Sequence, residues 1–303
     1  MKRILVVGLV ALPFLVAVVC LVATLHPAFA WDTSLPRPNG YDKFIEAAGA
    51  LKGDAGNYEA MSEPELSALI ATNAEALALV HSAFTCECRV PIRDTKIYAA
   101  NEEIYWDGCQ NLVKLLAAKG RLAELENHSA EAAKDYLDIE RFAIESGRGG
   151  LLIDGMMGIK MEGFAQVPLE KMLRQLDAKT CRAAASTLES FDAKRQDYQD
   201  VYDRERIFHH DKTTVVLSVR FITDMIKSFA KSRKQNAEMR KTVEEAFYEK
   251  QFESRVLAIK FAARAYELEK GESALNIHDL VPAYLKSVPH DPGTTREMVY
   301  PFR

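Results

Sequence analysis

The chain is predicted to be all-α: a multi-helix bundle or a stack of helical hairpins, with one N-terminal membrane segment and a short irregular C-terminal tail. Ala, Leu, Glu, Lys and Arg, which favour helices, dominate the middle of the 303-residue chain, whereas Gly and Pro are few there. Runs of β-branched residues are nearly absent apart from residues 213–216. Apolar residues recur at the three- and four-residue spacing of amphipathic helices.

The start of the chain is predicted to insert into a membrane. Residues 4–25 carry no charge, and at about 1.5 Å rise per residue they can cross a hydrocarbon core of roughly 30 Å. Lys2 and Arg3 precede them and are expected to stay on the cytoplasmic side. We interpret residues 1–30 as a retained signal anchor, because the apolar run exceeds the usual signal-peptide core of about 7–15 residues. The alternative is a signal peptide cleaved after Ala30, which ends an A-x-A site.

The remainder is predicted to consist of a Pro-rich linker at 31–38, a helical domain at 39–270 and a tail at 271–303. Without Lys2 and Arg3 this part keeps 37 of the 39 basic residues and all 43 acidic residues, a net charge of −6. Nucleic-acid-binding domains are usually strongly basic, so this class is excluded. The same balance argues against a polybasic membrane-surface patch.

Turn and cap residues divide the helical domain. Ser62 and Glu65 have the spacing of a capping box, Pro91 lies in a break, and Asp177 or Thr180 is expected to start a helix. In the first half of the chain, helices are predicted at about 40–52, from Ser62 to about 84, and at 96–118 or slightly beyond. A turn at 127–129 precedes the next helix, with Ser129 as its N-cap. Further helices are predicted at 151–166, in a short stretch after Pro168, and at 179–270 with interruptions at Asp192 and 228–236.

The helices on either side of the 127–129 turn resemble one helix-turn-helix unit of a tetratricopeptide array. The resemblance rests on Lys119-Gly120, followed by Ala132 and Tyr136. Such arrays need about three repeats, and the chain has no second copy at that period. An ordinary helical hairpin is therefore the preferred interpretation.

Four cysteines, Cys86, Cys88, Cys109 and Cys181, follow the membrane segment and would lie where disulfides can form. At most one disulfide is expected, joining the break at 86–88 to Cys109 or Cys181, and the sequence leaves the pairing open. The Cys-x-Cys spacing lacks a second ligand pair of the kind found in zinc sites.

The densest polar cluster, residues 203–211, is interpreted as a hydrated helix face with ion pairs. Glu205 and His209 are four residues apart and share a face, but the Glu-x-x-His di-iron pattern is absent. The chain also lacks His-Glu-x-x-His, Gly-x-Ser-x-Gly, Gly-x-Gly-x-x-Gly and P-loop motifs. No catalytic, cofactor-binding or metal-ligating residue is predicted, and no cofactor.

The tail resembles the C-terminal end of type II secretion major pseudopilins. The shared features are an L-V-P-x-Y-L segment at 280–285 and a V-P-x-D-P turn at 288–292, after a helix that ends near Gly271. That family can bind calcium in this region, but only Asp291 lies at a matching position, and the prepilin Gly-Phe-x-x-x-Glu signature is absent. The apolar tail residues are expected to pack on the last long helix. They are Leu280, Val281, Tyr284, Leu285 and Val288, and their expected partners are Phe261, Ala265 and Tyr266.

The chain beyond the membrane segment resembles a group of uncharacterised bacterial membrane-anchored helical proteins. It shares their N-x-Y-D-x-F opening at 39–44 and their C-R-x-P break at 88–91. The resemblance implies a single-pass protein of the bacterial cell membrane with its main domain outside the cytoplasm, or a secreted or periplasmic form after cleavage. We expect a scaffold that binds other envelope proteins. The alternatives are an accessory of a type II secretion or pilus-like machine, and an enzyme whose site is assembled from separate helices.

Overall fold

The computed structural model confirms the all-α prediction. It describes residues 34–92, 95–211 and 219–300, apart from the side chains of residues 95–105, 209–211 and 219–237. The predicted membrane segment, residues 4–25, lies outside these ranges. Nine α-helices and two 3₁₀ turns occupy the described part, without a β-strand. The helices are α1 (Gly40–Gly49), α2 (Glu63–Thr72), α3 (Ala74–Ala83), α4 (Thr95–Leu125), α5 (Ser129–Ser146), α6 (Leu152–Met172), α7 (Ala178–Asp192), α8 (Tyr198–Asp211) and α9 (Val219–Lys270), and the 3₁₀ turns are Tyr58–Ala60 and Ile277–Leu280.

The helices pack both against neighbours in sequence and across larger separations. Helix α1 lies on α3 and α4, α4 on α5, α5 on α6, and α7 on α9. Aromatic and aliphatic side chains fill the interior: the Phe44 and Phe142 rings meet edge to face with centroids 4.6 Å apart, and Leu112 and Leu116 are fully buried. The predicted apolar stripes therefore form the core, as amphipathic helices require.

The helix predicted from Ser62 to about 84 is instead two helices, α2 and α3, which meet at Asn73 with a bend of 65°. The buried Asn73 side chain accepts a hydrogen bond from the Lys52 amide (2.7 Å) and donates one to the Lys52 carbonyl (2.9 Å). These bonds to a distant segment fix the break. The predicted capping box is confirmed, because Glu65 Oε2 accepts from the Ser62 amide at 2.8 Å.

Among the described helices, none is by itself long and apolar enough to cross a membrane. Helices α2 and α3 satisfy the length and composition requirement only as a bent pair.

The predicted break around Pro91 is confirmed, and it ties together three segments. Asn39, which caps α1, donates to the Arg89 carbonyl (2.8 Å) and accepts from the Arg89 amide (2.9 Å). The Val90 amide donates to the Arg148 carbonyl at 2.8 Å. The break therefore joins the start of α1 to the loop between α5 and α6.

Helices α4 and α5 form the predicted hairpin. A Cβ atom on Gly120 would lie 2.8 Å from the Tyr136 ring, so the close approach of these helices requires glycine there. The Tyr136 hydroxyl donates to Glu124 at 2.7 Å. His128 is the N-cap residue and Ser129 the first helical residue, one position from the prediction, after Asn127 makes the turn with φ of 61°.

Two predicted interruptions are wrong. Helix α6 continues through Pro168, and α9 continues through 228–236. Pro168 has no backbone N–H, so the Phe164 carbonyl, four residues earlier, receives no helical hydrogen bond from it. Here Phe164 and Pro168 both line an open surface depression rather than the core. Residues 228–236 contain neither Gly nor Pro, and polarity alone does not end a helix. The predicted end at Asp192 is confirmed.

The tail packs on the helices as predicted. Leu280, Tyr284 and Leu285 are buried, and the Tyr284 and Tyr266 rings lie 5.5 Å apart. The Tyr284 hydroxyl donates to Glu269 at 2.9 Å. Val281 and Val288 are only partly covered. The tail therefore covers the C-terminal part of α9 and belongs to the same compact unit as the helices.

Candidate functional site

Two glutamates and an arginine are buried together where α5, α6 and the segment after α7 meet. Glu140 and Glu162 are almost completely inaccessible to solvent. The Arg195 guanidinium donates to both oxygens of Glu162, at 2.7 and 2.9 Å. Such bidentate pairs are strong because both bonds are charge-assisted. Arg195 thus neutralises the charge of Glu162, and the Glu140 carboxyl has no such ion pair among the described residues.

The Glu140 carboxyl is the group without a cationic partner. In the described part of the chain, neither of its oxygens accepts a hydrogen bond from an N–H or O–H donor, and the carboxyl faces that of Glu162. Burial raises the pKa of Glu140 well above its ordinary value of 4.5, and the negative charge of Glu162 raises it further. Arg195 and Lys250 lower that pKa to a smaller extent. Burial therefore favours the protonated form of Glu140, which can donate its O–H to Glu162.

A small cavity of about 40 Å³ adjoins this cluster, lined in part by Glu162 and Arg195. Glycines bring its walls together: a Cβ on Gly155 would lie 2.4 Å from the Phe247 ring, and one on Gly158 would lie 2.8 Å from the Ala143 carbonyl oxygen. The space holds one or two water-sized molecules and is too small for an organic substrate.

The glycine-rich connection between α5 and α6 is held in place from α8. Arg204 Nε donates to the Gly150 carbonyl at 3.0 Å, and the Leu152 amide, at the start of α6, donates to Glu205 Oε2 at 3.0 Å. The predicted hydrated face at 203–211 is therefore wrong for Arg204 and Glu205, which bind backbone. The His209 side chain lies outside the described part.

The four cysteines described by the structure are free thiols, so the expected bridge from 86–88 to Cys109 or Cys181 is not formed. Burial raises the pKa of Cys88 to about 12 and that of Cys181 to about 11. Both thiols are therefore protonated at neutral pH, and the thiolate is the reactive form. Within the described ranges, no group of three or more His, Cys, Asp or Glu side chains is arranged to hold a metal ion.

A shallow groove runs between α6 and α9 on the surface. It has a volume of about 300 Å³, and it meets a second depression of about 490 Å³ at Val167, which lines both. Val167 is 56% exposed and Phe252, opposite it on α9, is 37% exposed. We refer to this surface, lined by Val167, Phe252, Val256 and Leu257, as the Val167 groove.

Comparison with known proteins finds no match to any family model, curated protein or solved structure. The resemblances of the tail and of the rest of the chain therefore rest on their short motifs. Function has to be inferred from the chain's own residues.

Replacing Glu140 with glutamine is expected to remove a pH dependence of stability. The raised folded-state pKa means that the stabilising contribution of this group is complete below about 4.5, the ordinary glutamate pKa, and is lost as the pH rises towards the folded pKa. Over this pH range the contribution of Glu140 to the free energy of unfolding falls by about 1.4 kcal/mol per pH unit. Glutamine keeps a donor to Glu162 but has no proton to release. Urea denaturation between pH 4.5 and 9 should therefore show the variant gaining stability over the wild type as the pH rises.

The matched control is Glu131→Gln, which removes an exposed acid from the same helix. Its stability should follow the wild-type pH profile. Parallel profiles for the wild type and Glu140→Gln would show that Glu140 is ionised in the folded protein.

Proposed function

We propose that the protein is a membrane-tethered helical scaffold, exposed outside the cytoplasm, which binds another envelope protein through the Val167 groove. The apolar run at 4–25 supplies the tether. The observation that carries the binding role is the exposure of apolar side chains, Val167 and Phe252, on both walls of one groove. Grouped exposed apolar side chains mark interaction surfaces.

The shape and chemistry of the groove favour an amphipathic helix as its ligand. Phe252 and Val256 are four residues apart and share one face of α9, and Val167 faces them from α6. A groove between two helices accepts the apolar face of a third helix. The groove itself is lined by Glu170 and Glu253 against Lys260, and the adjoining depression by Lys160 and Lys171 against Glu59, so the charges around the apolar strip are balanced.

Site-specific photo-crosslinking in the native membrane tests this proposal. A benzophenone amino acid in place of Val167 in the full chain should form an adduct with one discrete envelope protein. The same reporter in place of Lys134, an exposed residue of α5, is the matched control and should not form this adduct.

The Val167 adduct should depend on the groove itself. Adding Phe252→Glu should weaken binding about 30-fold, the equivalent of about 2 kcal/mol at an interface hot spot. Identical adducts from positions 167 and 134, or an adduct that Phe252→Glu leaves unchanged, would contradict a docking role for the groove.

The tail indicates which partners to examine first. Its resemblance to major pseudopilins at 280–285 and 288–292 nominates components of a type II secretion or pilus-like machine. Adducts with such components would support the accessory role, and adducts with other envelope proteins would support a scaffold outside that machine.

A further inference from the structure

A cavity of about 320 Å³ lies between the tail and helices α7 and α9, away from the Val167 groove. Its size falls within the range of small-molecule sites, about 300–1,000 Å³. Leu188 and Ala258 supply apolar wall, and Val288 and Pro289 of the tail close one side. The site therefore exists only because the tail packs on the helices.

One polar group on the cavity wall is buried without a partner. Ser254 of α9 is 1% exposed, and its hydroxyl makes no hydrogen bond within the described part of the chain. A buried hydroxyl without a partner destabilises the folded protein, because it has lost its hydrogen bonds to water. A molecule in the cavity that accepts from Ser254 would remove this cost.

The carboxylates of the wall are already engaged by the protein. Asp192 accepts from Gln251 (2.9 Å) and from Arg255 Nε (2.8 Å). Glu189 accepts from the Lys286 amide (2.9 Å), and the charge of Lys286 acts on it. The acidic groups on the wall are thus satisfied by donors from α9 and from the tail.

The remaining capacity of the wall is to donate. It consists of the Ser254 hydroxyl and of the exposed Lys286 and His290, which also line the wall beside the apolar surface of Leu188. The Lys286 ammonium acts on Glu189, and its three N–H donors allow it to serve a second acceptor as well. Donors and a positive charge fit an anionic head group, and the aliphatic wall fits a short apolar chain. We propose that this tail pocket binds a small organic carboxylate, with its head group at Ser254 and Lys286 and its chain against Leu188.

Calorimetric titration of the full chain with sodium butyrate tests the proposal, with inorganic phosphate as the comparison anion. Saturable binding of one butyrate per chain is expected, and binding of phosphate should be weaker because it lacks the apolar chain. Ser254→Ala should weaken butyrate binding about five- to tenfold, as expected for one lost hydrogen bond. Lys286→Gln with His290→Gln should weaken it further.

Lys134→Gln, which removes an exposed lysine from α5, is the control and should bind butyrate as the wild type does. Because Ser254→Ala removes an unpartnered hydroxyl, its melting temperature should not fall, so weaker binding would report on the pocket. Absence of saturable butyrate binding, tighter binding of phosphate than of butyrate, or unchanged affinity in the Ser254 and Lys286/His290 variants would each overturn the proposal.

Discussion

Replacing Arg195 with methionine is expected to lower the free energy of unfolding by about 3–5 kcal/mol at neutral pH, the cost of breaking a buried ion pair by removing one partner. Methionine has a similar length but carries no charge, so Glu162 would remain buried beside Glu140 without a cation. The cluster would then have to bind a proton or open to water. Chemical denaturation followed by circular dichroism measures the difference.

Two comparisons separate this effect from a simple loss of packing. Arg206→Met removes an arginine of α8 whose side chain is mostly exposed, and it should change stability by less than about 1 kcal/mol. Adding Glu162→Gln to Arg195→Met removes the stranded charge, so the double variant should be more stable than Arg195→Met alone. A cost below about 1 kcal/mol for Arg195→Met would show that the cluster is hydrated.

Local signals in the sequence predict much of the helical architecture. The capping pair Ser62 and Glu65, and the cap at Asp177, act over three residues, and the structure contains both caps. The bend at Asn73 could not be predicted in this way, because it depends on hydrogen bonds to Lys52 in another segment. The continuation of α6 through Pro168 likewise depends on that turn facing an open depression.

Local patterns in the sequence also fail to predict the candidate site, because its residues come from distant segments. Glu140 lies among the apolar residues Ile139, Phe142 and Ala143 of α5, so its burial had a signal in the sequence. Its neighbours Glu162 and Arg195 come from other elements, and no local pattern links the three. Polar residues are denser at 203–211, but density along the chain does not show whether side chains converge. The structure uses Glu205 there to bind the start of α6.

Ending the chain at Gly271 is expected to destabilise the helical domain by at least about 5 kcal/mol, because each large apolar side chain contributes about 1.5–3 kcal/mol when buried. The truncation removes buried residues at both ends of the tail, including Ile277, Leu280, Leu285 and Met298. It would also expose the surface of α9 around Tyr266 to water, because the Tyr284 ring packs there. Calorimetry should show a fall in melting temperature of about 10 °C or more, or the loss of a cooperative transition.

Smaller changes within the tail test whether its stabilising effect comes from the packing of individual side chains. Replacing the exposed Val299 with alanine should leave the melting temperature nearly unchanged. Leu280→Ala, at a fully buried position, should cost about 2–5 kcal/mol by itself. Tyr284→Phe removes only the hydroxyl bonded to Glu269, and the net loss should be about 0.5–1.5 kcal/mol. If the chain ending at Gly271 melted at the wild-type temperature, the tail would contribute nothing to the stability of the helices. The tail pocket could then not depend on a firmly packed wall.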